Sequence, residues 1–202
     1  EDLGRIRHEF SKELVMGVTK WMAWWHTFPI EMMLNASLEG PKPMIEEIVA
    51  SILLQKEKVI QILQKYDSTT VEIENIFIHL GKKSFSNKKV LSHGDLHLGN
   101  YGYAGERIVV IDWEHTHINS PYWDLYHLLD MSHPVFPRTL NKELRRDILE
   151  LYLDESKIAA NLVERKAFKL EYFMFSTAFS IWMLLLIQAD LDRNETKWSR
   201  EQ

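Results

Sequence analysis

Three oxygen-bearing side chains, Asp95, Asn100 and Asp112, fall within a short stretch that is otherwise rich in apolar and aromatic residues. Asp95 and Asn100 share one polar loop, His93-Gly94-Asp95-Leu96-His97-Leu98-Gly99-Asn100. Asp112 directly follows four β-branched residues, Ile108-Val109-Val110-Ile111, which puts it at the end of a strand. A carboxylate in such a loop can orient a hydroxyl and take its proton. A carboxamide and a second carboxylate are the hard oxygen ligands that hold magnesium against phosphate groups. Together these are the protein groups that phosphoryl transfer needs.

The elements around them follow from the apolar pattern. Phe10, Leu14, Val18, Trp21, Met22 and Trp25 recur at spacings of three and four, predicting a helix with these residues, both tryptophans included, on its core face. Gly40-Pro41-Lys42-Pro43 breaks the pattern, and Ile45, Ile48, Val49, Ile52, Leu53, Val59, Ile60 and Leu63 then trace one second long helix. Ser68 or Thr69 can cap a shorter third helix ending near Phe77. Lys89-Val90-Leu91-Ser92 reads as extended. Tyr101-Gly102-Tyr103 and residues 107–111 flank Ala104-Gly105-Glu106 as a hairpin. Helical patterns resume after Pro121, again after the cap candidate Asn141, and from about Glu164 to the end. The layout is helices, a small β island carrying the polar residues, then helices.

Asp95 and Asn100 stand at the offset of the protein-kinase catalytic loop H-R-D-x-x-x-x-N, with Gly94 in place of the arginine. With Ile111-Asp112-Trp113-Glu114 and Pro121-Tyr122-Trp123-Asp124-Leu125 following in order, the chain resembles the aminoglycoside phosphotransferase and choline kinase superfamily. The resemblance implies a mainly α (α+β) fold, the C-terminal lobe of a protein-kinase-like enzyme with a β-hairpin island carrying the catalytic loop. It implies Asp95 as catalytic base, Asn100 and Asp112 as magnesium ligands, and Asp124 as a buttress hydrogen-bonded to the loop, with His93 beneath it. Glu114 could assist a second metal or simply cap or face solvent. His97 would stabilise the loop or face substrate. The implied cofactors are Mg2+ with ATP or GTP, and the implied partner is a small hydroxyl-bearing acceptor. Residues 1–202 would form one lobe: a helical subdomain to residue 90, the catalytic and metal-binding segment over 91–132, and C-terminal helices over 133–202.

In that superfamily a strand lysine paired with a helix glutamate also grips the phosphates, from a β-rich lobe before the hinge. No stretch before residue 88 reads as such a sheet. The chain, opening at Glu1, therefore reads as an excised piece lacking its N-terminal lobe, folded but inactive alone. The alternative function is a kinase-like structural or regulatory protein, such as a spore-coat-associated member of the superfamily. Gly94-Asp95-Leu96-His97 also resembles the G-D-x-H step of calcineurin-like metallophosphoesterases. The earlier Asp-x-His and later Gly-Asn-His of that family are missing, since Tyr101 follows Gly99-Asn100.

Composition narrows the remaining classes. A net charge of -5 with no basic run longer than a lysine pair is not the footprint of a nucleic-acid binder. The absence of cysteine excludes disulfides and thiolate chemistry and fits the cytoplasm. Residues 172–189 carry no charge and approach membrane-spanning length. With Ser176, Thr177, Ser180 and Gln188 among them and a mean hydropathy of -0.24 for the chain, they read as a buried core helix.

Overall fold

The Ser11 side chain accepts the Leu14 N–H at 3.1 Å and starts α1, Lys12–Trp25, in the manner expected of a serine N-cap. Leu14, Val18, Met22 and Trp25 form its buried stripe. Trp21 does not join it. It is 49% exposed and leans edge-on against Trp24, because the packed stripe is completed by Val15, Thr19 and Ala23 on the other flank. The structure, a computed structural model, describes residues 6–33, 38, 42–65, 68–82, 84–131 and 133–193. Glu1, Gly40 and Pro41, which the sequence reading used, lie outside them.

The chain divides into two compact units. One comprises Glu1–Lys42 and Asn87–Lys169, the other Pro43–Ser86 and Leu170–Gln202. In the first, α1 packs against α6, Lys142–Ser156, which buries Ile148, Leu149, Tyr152 and Leu153. Asn141 caps α6 by accepting the Leu144 N–H at 2.8 Å. Each aliphatic side chain fully buried in such a contact is worth about 1.5–3 kcal/mol. Between these helices in sequence lie four short strands and α5, Tyr122–Leu129, every residue of which is buried.

The strands make two antiparallel pairs. β1, Val90–Ser92, pairs with β4, His117–Asn119, in the register Val90↔Asn119 and Ser92↔His117. β2, Tyr101–Ala104, and β3, Arg107–Val110, form the predicted hairpin, with Gly105 in the turn at φ +63. β4 was not visible in the sequence, because His117-Ile118-Asn119 is too short to show alternation and its partner lies far upstream.

In the second unit the predicted long helix is two: α2, Ile45–Leu54, and α3, Lys56–Gln64, broken at Gln55, whose backbone leaves the helical region at φ -105, ψ 26. The apolar stripe survives the break, since the step from Ile52 to Val59 is one heptad, two helical turns, so periodicity could not register it. α4, Thr70–Lys82, opens with a reciprocal Thr69 and Glu72 cap and runs past Phe77 to Lys82. α7, Leu162–Asp192, contributes to the second unit from Leu170 onward. It is long and apolar enough to cross a membrane by length and composition, with 39% of its most apolar window buried. Tyr172, Phe175, Ala178 and Phe179 are packed, whereas Phe173 and Leu186 are exposed, so one face is buried and not the whole circumference expected from the sequence.

Candidate active site

The polar loop between β1 and β2 is built around one carboxylate, Asp124, in the first turn of α5. Its Oδ1 accepts from Ser92 Oγ at 2.6 Å and from the Gly94 N–H at 3.0 Å. Its Oδ2 accepts from the His93 N–H at 2.8 Å, His26 Nε2 at 3.1 Å and, more distantly, Trp25 Nε1 at 3.4 Å. The side chain is fully buried. Burial pushes the carboxyl up, but the His26 hydrogen bond and charge, then His93 and Ser92, outweigh it and hold Asp124 well below the usual carboxylate range. His26 in turn places Nδ1 2.9 Å from the Tyr152 hydroxyl, itself kept protonated by burial and by the nearby Asp124 charge. The two nitrogens of His26 thus bridge Asp124 and the Tyr152 hydroxyl.

Three further bonds close the loop, two through the His93 ring and one from α5. His93, fully buried, accepts the Asp95 N–H on Nδ1 at 3.3 Å and donates from Nε2 to the Ile111 carbonyl at 2.9 Å. Trp123 Nε1 donates to the Gly94 carbonyl at 2.9 Å. Gly94 sits at φ +90, and a Cβ there would stand 2.1 Å from the His115 carbonyl oxygen, so both backbone and space demand glycine where protein kinases carry arginine.

Asp95 is presented by this frame, its side chain 27% exposed. Asn100 Nδ2 donates to the Asp95 carbonyl at 2.8 Å and to Asp95 Oδ2 at 3.2 Å. His97 Nε2 lies 3.5 Å from the same Oδ2. Burial raises the Asp95 carboxyl, but the His97 hydrogen bond and the surrounding histidines His97, His127 and His115 prevail, so the net direction is below the usual value. Asp95 is thus a carboxylate at neutral pH, with Oδ1 turned to no partner among the described residues.

The hairpin carries the third residue to the same place. The Ile111 N–H donates to the Asn100 carbonyl at 2.9 Å, extending the β2–β3 ladder by one rung and setting Asp112 one residue beyond. Asp112 is exposed and stands in the left-handed region at φ 64, ψ 61, which few residues other than glycine occupy. Trp113, beyond it, packs on His93 and Trp25 at ring-centroid distances of 4.6 and 5.0 Å. Glu114 is 71% exposed in its side chain and faces His115 Nε2 at 3.5 Å, away from any contact with Asp95 or Asn100 among the described residues.

The model of the phosphotransferase enzyme family (APH) matches residues 52–161, more than half of the chain and all of this loop, hairpin and α5. The chain belongs to the phosphotransferase enzyme family. No curated protein sequence matches it. Among solved structures, it is similar to a choline/ethanolamine kinase family protein from Mesorhizobium loti, with 15% identity and a TM-score of 0.54 over 92% of this chain and 56% of that one. It is also similar to choline kinase from Cryptosporidium parvum Iowa II, with 16% identity and a TM-score of 0.45 over 92% of this chain and 67% of that one. The Mesorhizobium loti likeness shows the fold: a mainly helical, kinase-like lobe with a small antiparallel β component. The chain spans little more than half the length of that structure.

Within this candidate site, sequence reasoning missed His26 and Tyr152. Both belong to or end helices whose periodicity reads as packing; His26 contacts Asp124 directly and Tyr152 stands behind it, on His26. Trp25 was read as core and is 3% exposed, yet its indole N–H is also aimed at Asp124. A histidine directly after the apolar stripe of α1 was the one available signal.

Proposed function

We propose that this chain supplies the acceptor-activating and metal-binding groups of an enzyme that moves the γ-phosphoryl group of ATP or GTP to a hydroxyl of a small molecule. The reading includes a nucleotide-gripping lobe supplied by sequence outside these 202 residues, consistent with the share of the Mesorhizobium loti kinase-family structure that the chain covers. The observation that carries it is the Ile111–Asn100 rung, which ties a left-handed, exposed Asp112 to the loop that holds Asp95. A non-glycine residue in that conformation costs on the order of 1–3 kcal/mol and persists where surrounding structure enforces it, a pattern concentrated at functional sites.

The donor set suits magnesium. Asn100 commits its amide nitrogen to Asp95, which leaves Oδ1 as a carbonyl-type ligand, and the Asp112 carboxylate takes no hydrogen bond among the described residues. Two protein oxygens, with water and phosphate oxygens completing the shell, are how magnesium is usually held in such enzymes. Asn100 and Asp112 would hold Mg2+ there, and it would supply positive charge to offset the charge that develops on the transferred group.

The chain's own residues then divide the work. Asp95 Oδ1 accepts a hydrogen bond from the acceptor hydroxyl, fixes its direction of attack and takes its proton. Asn100 holds the Asp95 carboxylate from the side of Oδ2. Asp124, with His26 and Tyr152 behind it, keeps the loop backbone from shifting.

Asp112→Ala in the full-length protein is expected to weaken Mg2+-dependent nucleotide binding by at least ~10–100-fold, the loss already typical when an outer partner of a metal ligand is removed. Titration of ATP and GTP with and without Mg2+ measures it. Metal-dependent affinity equal to wild type would remove Asp112 from the ligand set. A structural or regulatory protein would give a flat response in both wild type and variant.

A further inference from the structure

His97 and His133 lie face to face beside the Asp95 carboxylate, their ring centroids 4.3 Å apart and their planes at 15°. Phe136 flanks both, at 5.9 Å from His97 and 5.3 Å from His133. The hydrogen bonds at the two rings define where their protons sit. His97 Nδ1 accepts the Gly99 N–H at 2.9 Å, which leaves Nε2, the nitrogen that faces Asp95 Oδ2, as the donor. His133 Nδ1 accepts the Val135 and Phe136 N–H groups at 3.2 and 3.1 Å, which leaves its Nε2 as the donor in the same way. Gly99 makes the arrangement possible: a Cβ there would stand 2.6 Å from His97 Cε1 and 2.5 Å from Phe136 Cε2.

We propose that His97 is a positioning residue for Asp95: an imidazole, seated on the Gly99 N–H and clamped by the His133 ring, that donates from Nε2 to Oδ2 and turns Oδ1 toward the acceptor hydroxyl. The inference rests on the reading of Asp95 as the base.

A carboxylate held by one donor can still swing about its Cβ–Cγ bond. Asn100 Nδ2 and His97 Nε2 both address the same oxygen, at 3.2 and 3.5 Å, and two donors on one oxygen fix the plane of the group. The longer contact is of the kind that tightens when substrate arrives. In the reaction, the acceptor oxygen bonds to the γ-phosphorus and the nucleoside diphosphate leaves with the bridging oxygen. The hydroxyl proton passes to Asp95 Oδ1, and His97 keeps its own proton throughout.

The test has a spectroscopic and a kinetic arm. Two-bond 1H–15N correlation spectra of the 202-residue chain at neutral pH should show His97 with a bare Nδ1 and a protonated Nε2. A proton found on Nδ1 would overturn the proposal without any activity measurement. In the full-length protein, His97→Phe keeps the ring and the stack but removes the donor, and is expected to lower kcat by about 10–100-fold with nucleotide KM little changed. His97→Gln, whose amide can donate, should restore most of that loss. Equal losses in the two variants, or none in His97→Phe while Asp95→Asn is inactive, would refute the positioning role and leave the base intact. Full activity in Asp95→Asn would overturn both readings together.

Discussion

Asp95→Asn in the full-length protein is expected to lower kcat by about a thousandfold, within the range a general base contributes, while nucleotide Kd stays near the wild-type value. The two quantities separate because the carboxylate touches the acceptor and not the nucleotide in this reading. An interaction realised mainly in the transition state lowers turnover when lost and leaves ground-state binding alone. The asparagine amide fills the same space but cannot take a proton. It also confronts Asn100 Nδ2, which now donates to Asp95 Oδ2, with a choice between a carbonyl and a second amide donor. Steady-state kinetics on a true acceptor beside calorimetric titration of nucleotide decides the matter. Unchanged kcat would take Asp95 out of the role.

The largest effect on stability is expected at Asp124. Asp124→Ala strands the buried Ser92 hydroxyl, the His93 and Gly94 N–H groups and His26, all of which point at the missing carboxylate. Breaking a buried charged network by removing one member costs about 3–5 kcal/mol, a large fraction of a domain's stability. Urea unfolding measures it. The pH dependence carries a sign. The folded carboxyl is held below its ordinary value of 3.8, so its ionisation stabilises the fold fully above that value, and the contribution is lost as pH falls from there toward the lower folded value. The stability gap between wild type and Asp124→Asn should therefore be constant near neutrality and narrow below about pH 4. A gap of less than about 1 kcal/mol at neutral pH would mean that water or a rearranged loop satisfies the stranded donors.

Much of the local structure was legible because local chemistry specifies it. Ser11 and Asn141 begin helices through their own side chains, Gly105 turns the hairpin, and the offset from Asp95 to Asn100 is fixed by one loop. What joins distant segments was not legible. The pairing of Ser92 with His117 gives no signal in either triplet. His26 meets Asp124, and Tyr152 meets His26, only through tertiary packing, and a buried histidine or tyrosine on a helix reads the same whether it is filling space or orienting a loop. The break at Gln55 keeps the apolar phase, and the left-handed backbone of Asp112 follows from the rung between Ile111 and Asn100. Trp21 shows the opposite error: a large aromatic residue at a core spacing left half exposed because smaller neighbours filled the face.

The most direct measurement of the central claim is transfer itself. The full-length protein carrying this chain is incubated with γ-labelled ATP or GTP, Mg2+ and a panel of small hydroxyl-bearing acceptors, with label followed into the acceptor and into free phosphate. The account predicts Mg2+-dependent label on at least one acceptor, turnover that collapses in Asp95→Asn, and no transfer by the 202-residue chain alone. Protein that is folded and binds nucleotide, yet releases only free phosphate or transfers label equally well without Asp95, would contradict it.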